Sequence, residues 1–210
     1  MANVINIDKT KLHPLLVYKL TVFLNKCENA GIDNVLVYCG YRSFKEQNDL
    51  YAQGRTKAGN VITNAKGGYS QHNFGIAIDF CKNTKAGAFS DSVWYNKVAK
   101  IAKSVGLGWG GDWKSFKDMP HLYLKTWGSD TSKLRNLYGS YDVFKKTWQA
   151  TTLRKIRIFK GKALSTKVLV WSNKGTKLSL LYVSKFWWAK VATNNGTVGY
   201  VRKKYLSYIS

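Results

Sequence analysis

Acidic residues are scarce in this chain of 210 residues: 11 Asp and Glu stand against 34 Lys and Arg, a net charge of +23. Such an excess points away from cationic or neutral targets and toward a polyanion. It leaves nucleic acid, an anionic membrane and an acidic cell-wall polymer open. Cysteine is scarce too. Cys27, Cys39 and Cys81 are odd in number and widely spaced, which excludes a disulfide framework. Only two prolines, with 45% hydrophobic residues and 8 Trp, 13 Tyr and 9 Phe, exclude a disordered chain. No apolar run approaches the roughly 18 residues of a membrane span. The apolar stretch Leu12–Leu24 is broken by Lys19 and lacks the basic start and small-residue cleavage site of a secretory signal. The expectation is a chain made in the cytoplasm, without a signal peptide, that reaches any outside target by another route.

The shortage of acid is uneven. Residues 151–210 hold 13 Lys and Arg and no Asp or Glu, while all 11 carboxylates and all 3 histidines lie in 1–150. Acid–base or metal chemistry therefore belongs to the first part. After Tyr141 short β-forming runs (Val168–Trp171, Lys177–Tyr182, Trp188–Ala192, Gly199–Val201) alternate with Asn-Lys-Gly and Asn-Asn-Gly turn signals. Five or so short strands in about 60 residues predict a small β-barrel. The expected division is a first domain over 1–140, a linker over 141–152 and a second domain over 153–210.

Within the first domain, Leu16, Leu20, Phe23, Leu24 and Cys27 form one apolar stripe at helical spacing, stopped by Gly31. Val35–Cys39 reads as a buried strand. Ser43 with Glu46 fits a capping box that opens a helix through Ala52. Residues 54–69 read as a long loop, Ile76–Phe80 as a strand, Ser90–Val105 as a loop and helix, His121–Leu124 as a strand, and Asp130–Leu137 as a short helix.

Two histidines stand in polar company, in Ser70-Gln71-His72-Asn73-Phe74-Gly75-Ile76-Ala77-Ile78-Asp79 and in Asp118-Met119-Pro120-His121. A catalytic Zn²⁺ needs three N/O ligands and an open position for water, and His72, Asp79 and His121 would supply them. Asp118 could then accept the proton of that water. Spacing alone does not force these residues together, so the reading of polar loop residues with ordinary hydrogen bonds stays open. Trp109 and Trp113 could wall a substrate groove or pack the core. Cys81 follows Asp79 by two residues, which on a continuous strand puts both on one face; it is either a competing thiolate ligand or a small buried residue.

These stretches resemble the zinc-dependent peptidoglycan peptidases of the D-Ala-D-Ala carboxypeptidase (VanY-like) and L-alanyl-D-glutamate endopeptidase family. Ser70-x-His72-x-x-Gly75-x-Ala77-x-Asp79 matches its first signature and Asp118-x-Pro120-His121 its second. The runs Gly40-Tyr41-Arg42-Ser43 to Gln47, Tyr51 to Thr56 and Thr63 to Gly68 resemble the L-alanyl-D-glutamate branch, which includes many phage endolysins. The resemblance implies an α+β domain with a small antiparallel sheet and flanking helices, of the Hedgehog/DD-peptidase type. It implies zinc on His72, Asp79 and His121, Asp118 as general base, Arg42 facing substrate and oxyanion, and Ser70 and Gln47 holding the peptide, with Trp109 a further candidate for the substrate groove.

The tail resembles a bacterial SH3-type barrel in Lys174-Gly175-Thr176-Lys177, Trp188-Ala189-Lys190-Val191 and Gly196–Leu206. The usual Leu-Asn-Val-Arg segment is here Arg157-Ile158-Phe159-Lys160. Phe186, Trp187 and Tyr205 are candidate wall contacts. The implied protein is a monomeric phage or prophage endolysin, released to the wall through a membrane lesion, whose partners are stem peptides and anionic wall polymers, with no nucleic acid expected. A D-Ala-D-Ala carboxypeptidase of the same fold, and a non-catalytic wall- or nucleic-acid-binding protein, are the alternatives.

Overall fold

A computed structural model of the chain describes residues 3–184 and 186–208. Lys185, one of the basic residues of the tail, lies outside the described residues. The chain divides into two compact units, Met1–Tyr141 and Asp142–Ser210.

The first unit runs β1 (Val4–Ile5), α1 (Pro14–Asn29), β2 (Val35–Cys39), α2 (Phe44–Ala52), β3 (Ala77–Lys82), α3 (Ser92–Ser104), β4 (Leu107–Trp109), β5 (His121–Leu124) and α4 (Ser132–Tyr138). It is a mixed α+β arrangement. The sheet has the order β1-β2-β3-β5-β4. All pairings are antiparallel except that of β1 with β2, so the expected antiparallel sheet carries one parallel edge.

The apolar stripe of α1 is the buried face: Leu16, Leu20, Phe23, Leu24 and Cys27 are all covered. Burying each of the larger side chains stabilises the fold by about 1.5–3 kcal/mol. Pro14 takes the first helical position, where its missing N–H costs nothing, and the His13 side chain accepts the Leu15 N–H at 3.1 Å. The capping box of α2 forms as its sequence predicts. Ser43 Oγ accepts the Glu46 N–H at 3.1 Å, and Glu46 Oε2 accepts the Ser43 N–H at 2.7 Å.

Two elements near the site depart from the sequence reading. Strand β3 starts one residue late and continues to Lys82. Strand β4 falls in a Gly-rich stretch that carries no strand signal. Gly108 is needed there because a Cβ would lie 2.3 Å from the Tyr123 ring on the neighbouring strand.

The second unit holds β6 (Gln149–Thr152), β7 (Ile156–Phe159), β8 (Val168–Ser172), β9 (Lys177–Val183), β10 (Trp188–Ala192), β11 (Val198–Arg202) and β12 (Leu206–Tyr208). They form one sheet in the order β12-β6-β9-β10-β11-β7-β8. Its core is Ala150, Ile156, Ile158, Leu178, Leu180, Ala189, Val191, Val201 and Leu206. Gly175 and Gly196 adopt φ of 82° and 83° in the two turns marked by Asn-Lys-Gly and Asn-Asn-Gly. The stretch read as a linker, 141–152, carries a helical turn, α5 (Tyr141–Lys146), and strand β6, which pairs with both β9 and β12. Its lysines and threonines mask the apolar residues Phe144 and Trp148, both buried.

Candidate metal centre

Sheet register builds the site. Cys39 on β2 is paired with Asp79 on β3, and Asp79 with His121 on β5, so one row of side chains crosses three strands. Directly opposed residues of antiparallel strands share a face and lie within reach of one another. His72 arrives from outside the sheet, on a single 3₁₀ turn (Gln71–Phe74) closed by Gly75 at φ 63°. That left-handed residue lets the chain leave the turn straight into β3. Buried Asn73 fastens the turn. Its Oδ1 accepts the Gly68 N–H at 2.9 Å and its Nδ2 donates to the Arg42 carbonyl at 2.8 Å.

The result is a tight triangle. His72 Nε2 and His121 Nδ1 each lie 3.1 Å from Asp79 Oδ1 and 3.2 Å from one another. Both imidazoles are buried. Their far nitrogens are engaged by acceptors: His72 Nδ1 donates to the Gly40 carbonyl at 2.6 Å, and His121 Nε2 donates to Gln71 Oε1 at 2.8 Å. These two contacts turn the near nitrogens and the carboxylate oxygen toward one point, an arrangement stable only with a cation among them. A proton is one such cation. Burial opposes charge on His72, yet Asp79 outweighs it and raises the imidazole to about 10. Burial pushes Asp79 up, but the His72 charge and hydrogen bonds from both imidazoles hold it well below the usual carboxylate range.

The donor set also fits a metal. Tetrahedral zinc with bonds of about 2.0–2.1 Å has ligand–ligand edges of about 3.3 Å, close to the 3.1–3.2 Å found here. Two imidazoles and one carboxylate leave a fourth position open, the pattern of catalytic sites and not of closed structural ones.

Asp118 completes the cluster, its carboxylate within 4.8 Å of the Asp79 and His121 ligand atoms. Burial raises its carboxyl above the ordinary range, against the pull of His121. The Asp118 N–H donates to the Gly110 carbonyl at 3.1 Å, and the Asp118 carbonyl accepts the His121 N–H at 3.2 Å. Gly110 makes this turn possible: a Cβ there would stand 2.5 Å from the Asp118 carbonyl oxygen. Sequence reading passed over Gly110.

Arg42 is half-buried at the edge of the cluster. Its Nη2 donates to Cys39 Sγ at 3.3 Å, and its Nη1 to Gln47 Oε1 at 2.8 Å. Gln47 has no exposed surface and also donates to the Ala65 carbonyl at 2.8 Å. It is a strut between Arg42 and the 54–69 loop, with no face left for a peptide. Ser70 stands half-buried before the His72 turn, its N–H on Asn73 Oδ1 at 3.3 Å. Trp109 is buried and spends its indole N–H on the Met119 carbonyl at 2.7 Å, so it supports the 118–121 turn from behind. Trp113 is the tryptophan at the cluster, its ring 5.1 Å from that of His121.

The cysteine beside the ligands is Cys39, 3.9 Å from His72 Nδ1. Cys81 is buried, pairs with Leu36, and belongs to neither group of clustered ligand atoms among the described residues. Two residues along a strand is about 6.6 Å, which takes it past the triangle.

Residues 63–124, the segment that contains His72, Asp79, Asp118 and His121, match the family model described as D-alanyl-D-alanine carboxypeptidase. The chain is 46% identical over 123 residues to the peptidoglycan L-alanyl-D-glutamate endopeptidase CwlK of Bacillus subtilis, covering 54% of this chain and 73% of that protein. The chain belongs to this peptidase family. It is also 37% identical over 115 residues to the L-alanyl-D-glutamate peptidase of Listeria phage A118, covering 51% of this chain and 37% of that longer protein. Among solved structures, the Serratia marcescens L-Ala D-Glu endopeptidase ChiX aligns with a TM-score of 0.41 at 24% identity, over 56% of this chain and 83% of that one. These two relatives align over little more than half of this chain.

Proposed function

We propose that the chain is a zinc-dependent peptidoglycan hydrolase that cuts the L-Ala–D-Glu bond of wall stem peptides. The observation that carries this reading is the 3.1–3.2 Å triangle of His72 Nε2, Asp79 Oδ1 and His121 Nδ1 beside Asp118, in a chain 46% identical to CwlK.

His72, Asp79 and His121 would hold the metal. When bound, zinc polarises a carbonyl and makes water acidic enough to be activated near neutral pH. Asp118 then takes the attacking water's proton on its carboxylate. The same carboxyl afterwards gives the proton to the leaving amine of D-Glu. Arg42, steered by Gln47, brings a fixed guanidinium to the edge of the site. There it stabilises the developing oxyanion or holds the D-Glu carboxylate through charge-assisted hydrogen bonds. Trp113, its ring 5.1 Å from that of His121, flanks the same cluster, and Ser70 precedes the turn that carries His72.

The second unit, in this reading, is an SH3-type barrel that holds the enzyme on the wall, where the 13 cations of residues 151–210 meet anionic polymers. A monomeric phage or prophage enzyme, made inside the host and released at lysis, fits the phage relative and the absence of a helix long and apolar enough to cross a membrane among the described residues.

Digestion of purified sacculi, followed by identification of the new terminus, tests the reading. A free amine on D-Glu is expected. Released D-Ala would make the chain a carboxypeptidase, and no product at all would make it a binding protein.

A further inference from the structure

The second unit carries a surface that its core does not explain. Two clefts, of about 400 and about 210 Å³, share Leu164, Arg202 and Tyr205 in their linings and so adjoin as a two-part groove. Trp187 stands on one side and Trp171 on the other. These two indoles are 67% and 57% exposed, a costly use of the largest apolar side chain unless something covers it. Cations are interleaved with the rings. Lys155 and Arg157 lie 5.4 and 5.7 Å from the Trp171 ring, and Arg154 and Lys204 lie 5.2 and 5.1 Å from that of Tyr205. No carboxylate exists anywhere in 151–210 to neutralise them.

We infer that this groove is a binding site for a phosphodiester-linked polyol or sugar chain of the bacterial wall. Arg and Lys take the repeating phosphates, and the exposed indoles take the C–H faces between them. Each feature is needed. A polyanion with no apolar face would give Trp171 and Trp187 nothing to cover. A neutral glycan or peptide would leave a row of like charges forced together without compensation. The favoured source is the wall and not nucleic acid because the inference rests on the reading of the first unit as a wall peptidase.

The test is co-sedimentation of the full chain with purified Gram-positive walls, either intact or stripped of phosphodiester polymers with hydrofluoric acid. Cleavage of a soluble stem peptide is followed in parallel. Binding should fall at least tenfold on stripped walls. Lys155→Gln with Arg157→Gln should weaken binding to intact walls and flatten its salt dependence. The slope of log K against log salt should shrink by roughly 0.7 for each phosphate no longer neutralised. Trp171→Ala should cost about tenfold with the salt slope unchanged, because it removes apolar area and no charge. All three positions are exposed, so melting temperatures should stay at the parent value. Equal binding to stripped walls, tighter binding to duplex DNA than to intact walls, or parental binding by both variants would overturn the assignment. Stem-peptide cleavage by the parent reports separately on the catalytic reading, so either can fail alone.

Discussion

The third histidine, His13, has no part in the metal cluster and predicts how the first unit fails in acid. It is 6% exposed and caps α1 by accepting the Leu15 N–H on its own Nδ1. Its backbone N–H donates to the Gly75 carbonyl at 2.8 Å, which ties the start of α1 to the turn carrying His72. Burial lowers its affinity for protons from the ordinary 6.5 to about 3. Protonation would also destroy the acceptor and put a positive charge at a helix N-terminus, where the macrodipole opposes it. The unfolded chain binds this proton more readily than the folded one, so its contribution is complete above pH 6.5 and is lost as pH falls toward 3. One pH unit corresponds to at most 1.36 kcal/mol, so moving from pH 7 to 4.5 should cost about 2.5 kcal/mol from this residue alone. His13→Asn keeps a capping acceptor but cannot titrate. Urea unfolding of both proteins at pH 7 and pH 4.5 isolates the effect, because every other titration cancels in the difference. The parent should lose roughly 2–3 kcal/mol more than the variant. Equal losses would refute the argument that a buried neutral His13 is a source of acid lability.

Other outcomes follow from the site. Asp118→Ala should keep its metal and its melting temperature while stem-peptide cleavage falls about 10²–10⁴-fold, the range for loss of a general base. In the parent, kcat/KM should decline on the acid side as the Asp118 carboxylate takes up a proton, since only its deprotonated form accepts the proton of water. Gln71→Leu removes the acceptor 2.8 Å from His121 Nε2 and should weaken metal binding about 10–100-fold in chelator competition, whereas Gln71→Glu, which still accepts, should not. Gly110→Ala should impair cleavage far more than it lowers global stability, because its Cβ would displace the turn that carries Asp118.

Much of the first unit is legible in its sequence where one local signal decides the structure. The α1 stripe, the Ser43–Glu46 box and the β-branched run of β2 each need only neighbouring residues. The ligand row does not. Asp79 meets His121 and Cys39 because of strand order and register, which are long-range, and no spacing rule links positions 39, 79 and 121. The same reason left two readings of Cys81 open, of which the small buried residue is the one found. Strand alternation alone puts it on the face of Asp79, but the pairing of Cys39 with Asp79 decides which thiol reaches His72. The two polar motifs offered His72, Asp79 and His121 as a metal set and family resemblance supported it; the acceptors that orient the imidazoles, Gly40 and Gln71, come only from the fold. Strand β4 and the Gly110 turn were invisible because glycine reads as loop, although here it marks close approach of ring and backbone.

In the proposed mechanism, one metal on His72, Asp79 and His121 permits cutting of the L-Ala–D-Glu bond. The most direct measurement strips the full chain with chelator and titrates zinc back against soluble stem peptide, with the new terminus read by mass spectrometry. Cleavage should vanish on stripping and return in full at one equivalent, with the new amine on D-Glu. His72→Ala should show neither zinc uptake nor activity. Cleavage by the stripped parent, or full zinc uptake by His72→Ala, would contradict the account.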